Sequence, residues 1–178
     1  PHMLVAGASG SGKSVFLTSV ISTVLVTRGP EEVELTLIDP KRTDLTQFNG
    51  VPHIAPIPGV SRRGEVITDI AKARQAVRQL VAEMHKRNEF LEKHGVRNVT
   101  QYNEIARAKG LPPIPYRLVV VDEFANLTLH KGDDKEEREK ARQSREDFIT
   151  LSNMGRTAGN HLIMATQTPR AEVMDTQI

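Results

Sequence analysis

The period of the apolar positions changes along this chain, and each change marks an element. Residues 2–6 (HMLVA) form a short apolar run that ends on a glycine and predict a buried strand. Residues 14–27 carry Val15, Phe16, Leu17, Val20, Ile21, Val24 and Leu25, an apolar set wide enough for a helix packed on a sheet, closed by Arg28-Gly29-Pro30. Residues 33–39 (VELTLID) alternate and then end on an acid, which predicts a second strand followed by a turn at Asp39-Pro40-Lys41-Arg42. Residues 47–64 hold Pro, Gly and the pair Arg62-Arg63 without any period, and read as an irregular excursion. From about residue 68 to 93, Ile70, Ala73, Val77, Leu80, Val81, Met84 and Leu91 recur at helical spacing, and a shorter helix is expected over about 99–108.

Beyond the Gly110-Leu-Pro-Pro break lies Arg117-Leu-Val-Val-Val-Asp-Glu123. Its apolar run is continuous rather than alternating, the mark of a strand covered on both faces in a parallel sheet. Residues 131–146 (KGDDKEEREKARQSRE) alternate in charge sign and read as a solvated helix or a mobile loop. Residues 161–166 (HLIMAT) predict a last strand. Strands that alternate with helices imply an α/β sandwich with its ligand at the C-terminal edge of a mainly parallel sheet.

Composition narrows the picture a little. With 178 residues the chain suits one domain with a sizeable core. It has no cysteine, which excludes disulfides and thiolate metal sites and fits a reducing compartment. No apolar run approaches a membrane span and no secretory leader is read before the first strand, so the expectation is a soluble, cytoplasmic segment without direct membrane contact. The 24 basic residues nearly balance the 22 acidic ones, so no global basic field announces nucleic acid, although a local basic loop can still bind phosphates. Five Phe, two Tyr and no Trp leave little for base stacking, and a DNA partner would be held by its backbone. His53 and His161 lack the spaced partners of a metal site.

The candidate chemistry begins at GASGSGKS, residues 7–14, which satisfies the pattern G-x-x-x-x-G-K-[ST]. Gly7, Ala8, Ser9, Gly10, Ser11, Gly12, Lys13, Ser14 and Val15 form the expected nucleotide-binding stretch. Its glycines let the backbone amides wrap a phosphate, Lys13 reaches the β and γ phosphates, and the Ser14 hydroxyl takes a position on Mg²⁺. A strand, this loop and a helix in that order place an anion on the helix N-terminus. A nucleoside triphosphate, ATP, is the expected ligand.

VVVDE supplies the second half of such a site. Asp122 is expected to hold the Mg²⁺ shell, and Glu123 to orient or deprotonate the attacking water. Gln167, at the end of the last strand, is placed to touch the γ-phosphate or the water, with a structural cap as the alternative. Arg156, in Gly155-Arg-Thr-Ala-Gly159, is either an arginine finger for a neighbouring subunit or an ordinary surface arginine. No N-K-x-D guanine reader accompanies the loop, which argues against a GTPase.

Taken together, PHMLVAGASGSGKS, LTLIDPKRTDLTQFNGVPHIAP, GVRNVTQYNE, VVVDEFANL and GRTAGNHLIMATQ resemble the motor domain of the FtsK/SpoIIIE/HerA family of DNA-pumping ATPases, in family order and over nearly the whole chain. DPKR and the RN-x-x-x-YNE segment favour the FtsK/SpoIIIE branch. The resemblance implies a RecA-like P-loop NTPase three-layer sandwich over residues 1–178, as the partial core of a longer protein. It also implies an ATP-driven homo-hexameric ring on double-stranded DNA, tethered to the inner face of a membrane, if at all, by segments outside this chain. Lys13, Ser14, Asp122 and Glu123 keep their roles, Gln167 matches the family's sensor glutamine, and Arg156 its candidate trans-acting arginine. Asp39, Lys41 and Arg42 match a DPKR turn that lies at a subunit interface, at the active-site edge, or is simply packed. Where the family usually reads ATQRPS this chain has ATQTPR, which leaves Arg170 as the candidate contact to DNA backbone. A related ATPase that drives protein secretion, and a nucleotide-gated assembly module, are the competing functions.

Overall fold

The structure, a computed structural model, describes residues 2–130 and 132–167. In chain order the strands are β1 (Met3–Ala6), β2 (Val33–Ile38), β3 (Tyr116–Val121) and β4 (Asn160–Thr166). The helices are α1 (Lys13–Thr27), α2 (Ile70–Lys93), α3 (Val99–Ala108), the short α4 (Ala125–Thr128) and α5 (Lys135–Met154), with one 3₁₀ turn at Thr46–Phe48. Among the described residues the strands form one parallel sheet in the order β1-β4-β3-β2.

Side chains alternate across this sheet and so build two cores. Leu35, Leu37, Val120, Ile163 and Ala165 face α1 and pack with its Leu17 and Ile21. Ile38, Val119, Val121, Leu162 and Met164 face the other way, onto Val77, Leu80 and Met84 of α2 and Phe148 and Leu151 of α5. The run that is continuous in sequence is thus the central strand β3, whose Val119, Val120 and Val121 are fully buried. Local signals start the second-layer helices: Asp69 caps α2 through the Lys72 amide, Asn98 caps α3 through Gln101, and Asp134 caps α5 through Glu136 and Glu137.

At β1 the fold departs from the sequence expectation, and elsewhere it sharpens it. The strand expected to be buried at residues 2–6 is, among the described residues, an edge strand that pairs with β4 alone, so Met3 stays 47% exposed. The excursion over 47–64 is ordered and runs along the free edge of β2. Leu35 N–H donates to the His53 carbonyl (2.7 Å), Ala55 N–H to Leu35 (3.1 Å) and Ile67 N–H to Leu37 (2.9 Å). These bonds satisfy an edge that would otherwise invite intermolecular pairing, and they bury Ile54, Ile57, Val60 and Ile67. Of the two readings of the charged run, the solvated helix holds from Lys135 onward: the run forms the wet face of α5, which continues to Met154 with Ala141, Phe148 and Leu151 buried on its other side.

At the N-terminal ends of the strands, Arg117 of β3 reaches Glu34 of β2 and Glu83 of α2, and Arg87 bonds Glu83 (2.9 Å) and the Pro115 carbonyl (2.9 Å). This network ties α2 to the sheet at the end opposite the expected ligand. No helix among the described residues is long and apolar enough to cross a membrane.

Candidate active site

The phosphate loop leaves β1 and enters α1 in the expected conformation. Gly10 and Gly12 take φ of 79° and 89°, which a side chain would resist. At Gly7 a Cβ would lie 2.4 Å from the Ser11 hydroxyl and 3.2 Å from the Ser11 Cβ, so a side chain there would displace that of Ser11. Gly12 is the N-cap of α1 and brings no side chain to the helix start, and the first turn holds no acid. The first intrahelical bond runs from Phe16 N–H to the Gly12 carbonyl (2.9 Å), so the amides of Lys13, Ser14 and Val15 open the helix without such a partner. With Lys13 in that turn, these amides and the helix dipole fit a phosphate group. Val15, expected in the binding stretch, presents its side chain outward at 74% exposure and can contribute only its backbone.

Asp122 and Glu123 follow β3 at the same edge of the sheet. Asp122 is anchored by its own N–H to the Ile38 carbonyl (2.9 Å) and is 2% exposed. Burial pushes its carboxyl up, the charges of Asp44 and Asp39 add to that, and Lys13 and Lys41 offset only part of it. Asp44 and Asp39 thus add negative charge around Asp122, and Asp44 also accepts from the hydroxyl of Ser14 (2.6 Å). A divalent cation would relieve that excess of negative charge, so the donor set of Ser14 and Asp122 fits Mg²⁺.

Glu123 sits in the left-handed region with φ of 62°, an uncommon conformation for a residue with a side chain. Its carboxylate is 4% exposed overall and held on both oxygens. Thr166 Oγ1 donates to Oε1 (2.9 Å), Lys41 Nζ to Oε2 (2.9 Å), and the Gln167 N–H to both (3.2 Å each). Burial alone would push this carboxyl up, but the hydrogen bonds from Lys41, Thr166 and the Gln167 backbone outweigh it and hold the group below the usual carboxylate range. Thr166 also joins the two halves of the site, because its carbonyl accepts from Gly7 N–H (3.2 Å) while its hydroxyl holds Glu123.

The loop over residues 39–45 is the third wall of the site; the sequence offers the active-site edge as one of the readings for its Asp39, Lys41 and Arg42, but gives no sign of Asp44. The Asp39 carboxylate accepts from the amides of Asp44 (3.0 Å) and Leu45 (2.9 Å) and so shapes the loop from within. Asp44, never a candidate, accepts from Ser14 Oγ (2.6 Å), and Lys41 grips Glu123. Of the readings left open for the DPKR turn, its contacts make it both packed and part of the active-site edge.

Other expected residues lie apart. Gln167 reaches the site through its backbone, while its residue is exposed. Arg156 is exposed in the turn that precedes β4, at the opposite end of that strand from Thr166, about 20 Å away at the usual strand rise. Arg170 lies outside the described residues.

A family model described as the FtsK/SpoIIIE family matches residues 1–171. The chain belongs to that family. It is 42% identical over 182 residues to the DNA translocase SpoIIIE of Bacillus subtilis and 41% identical over 182 residues to the DNA translocase FtsK of Oceanobacillus iheyensis, in each case over 98% of this chain and 21% of the relative. It therefore spans about a fifth of the length of the curated relatives it matches. Among solved structures it resembles the pCW3 conjugation coupling protein TcpA, determined with ATPγS (TM-score 0.78, 30% identity, 100% of this chain and 46% of that one). It also resembles the cytoplasmic domain of the type VII secretion ATPase EccC of Thermomonospora curvata (TM-score 0.75, 27% identity, 100% and 20%). Both likenesses agree with the α/β P-loop ATPase fold of the FtsK/SpoIIIE motors.

Proposed function

We propose that residues 1–178 are the RecA-like, ATP-hydrolysing core of a motor that moves double-stranded DNA, working in the cytoplasm in a homo-hexameric ring. The observation that carries the hydrolytic part is the buried, multiply held carboxylate of Glu123, linked through Thr166 to an uncapped phosphate loop. A module that only binds nucleotide has no use for that carboxylate. The DNA part is supported by the likeness to FtsK and SpoIIIE, both DNA translocases, over 98% of this chain. Any membrane tether belongs to segments outside this chain.

In this reading the amides of Lys13, Ser14 and Val15 and the Lys13 ammonium hold the phosphates of ATP. Ser14 and Asp122 hold Mg²⁺, which when bound neutralises phosphate charge. Glu123 takes a proton from the attacking water as its oxygen bonds to the terminal phosphorus and the bond to the bridging oxygen breaks, leaving ADP and phosphate. Gln167, adjacent to Glu123 through its own amide, reports the change at the end of β4. Arg156 serves the site of a neighbouring subunit, because it lies too far from its own. Arg170 is the candidate contact to DNA backbone.

The likeness to EccC at 27% identity favours a second reading, an ATPase that drives protein secretion. Steady-state hydrolysis by the full-length protein separates the two. The proposal expects turnover to rise severalfold with linear double-stranded DNA and to fall by about a hundredfold or more in Glu123→Gln. Turnover indifferent to DNA contradicts the motor reading, and turnover raised by a secreted peptide supports the second.

A further inference from the structure

We propose that Lys41 is a positioning residue that clamps Glu123 in an unreactive arrangement, so that hydrolysis starts only when the loop over residues 39–45 lets go. The proposal rests on the reading of Glu123 as the base that activates water. A carboxylate offers about four lone-pair directions. Those of Glu123 meet Thr166 Oγ1 and the Gln167 N–H on Oε1, and Lys41 Nζ and the same N–H on Oε2. With 4% of the residue exposed, no free position is left on it for a water proton. One of the donors has to leave before Glu123 can act.

The donors differ in how easily they can leave. Thr166 is fixed by the sheet, through its register with Ala6 of β1 and its carbonyl bond to Gly7, and the Gln167 amide follows it directly. Lys41 instead brings a flexible four-carbon stem from a loop, and its side chain is 33% exposed. Its ammonium can exchange Glu123 for water, which its partly exposed side chain already meets. The same loop holds the other half of the site, because Asp44 occupies the Ser14 hydroxyl at 2.6 Å. Both grips belong to one piece of chain, braced by the Asp39 carboxylate on Asp44 and Leu45 and by the Arg42 N–H on the Asp39 carbonyl (3.1 Å). Freeing Ser14 for a metal ion and freeing Glu123 for water are then one movement.

The test compares Lys41→Met with Lys41→Arg in the full-length protein, with Lys41→Gln as a second neutral variant should the methionine protein fail to fold. Without nucleotide, hydrogen–deuterium exchange over residues 39–45 is expected to quicken about tenfold in Lys41→Met, because the loop loses the charge-assisted hydrogen bond that ties it to Glu123, and to return to the native rate in Lys41→Arg. ATP turnover without DNA is expected to rise about tenfold in the same neutral variant, with nucleotide affinity unchanged, and to be restored to its low rate by arginine. Basal turnover that stays level or falls in a folded neutral variant, with affinity kept, overturns the proposal. So does native exchange over residues 39–45. A Glu123→Gln protein that still hydrolyses ATP removes the base reading instead, and the exchange measurement then judges the clamp by itself.

Discussion

At Glu123 charge and backbone conformation point the same way: a carboxylate gripped by several donors stands on a residue with φ of 62°, where strain persists only if the surroundings enforce it. The phosphate loop shows the complementary use of glycine. At Gly12, φ is 89° and nothing lies within 4 Å of where a Cβ would stand, so the cost of Gly12→Ala is conformational, about 1–2 kcal/mol. The expected result is an unchanged fold with nucleotide Kd raised about tenfold, read by titration with a fluorescent nucleotide. The residues of this loop were legible in sequence because they are contiguous and each position has a local reason. Asp44 was not, and Lys41 was legible only as part of a DPKR turn with three readings, since the contacts of Lys41 and Asp44 span 82 and 30 residues and a lysine or an aspartate in a turn carries no local sign of its partner.

Among the elements, α5 shows how a site is supported from behind. Phe148 of α5 is fully buried and meets Phe124 edge to face at 4.8 Å, and Phe124 is the residue directly after Glu123. Phe148→Ala is expected to cost about 3–5 kcal/mol, read as a lower midpoint in thermal unfolding. In the milder Phe148→Leu, kcat is expected to fall more than KM rises, because the ring sets where Glu123 stands rather than how nucleotide binds. The central strand β3 was legible from its continuous valines, and α2 from its helical period. The edge position of β1 was not, because a short apolar run reads alike whether one or both of its edges are paired. Nor was the order in residues 47–67, whose bonds to β2 run through backbone groups that no side-chain pattern records. Charge left α5 legible only as one of two readings, helix or loop: ion pairs such as Lys140–Glu136 and Arg142–Glu139 line its wet face, while the apolar side that fixes it starts only at Ala141.

At the scale of the whole molecule, the site is assembled at one end of the sheet and Arg156 stands exposed at the other, so the role proposed for that arginine requires a neighbouring subunit. Arg156→Ala is expected to bind nucleotide normally and to lose about a thousandfold in turnover. Mixed with Glu123→Gln, it should recover part of the activity, since a mixed ring contains interfaces with a native Glu123 on one side and a native Arg156 on the other. No recovery would leave Arg156 as a surface residue. The proposed motor couples ATP hydrolysis to movement along DNA, and displacement of a labelled third strand from a DNA triplex by the full-length protein reads that coupling. The account predicts displacement that requires ATP, fails with ATPγS and is absent in Glu123→Gln. Hydrolysis without displacement, at a rate that double-stranded DNA does not change, would contradict it.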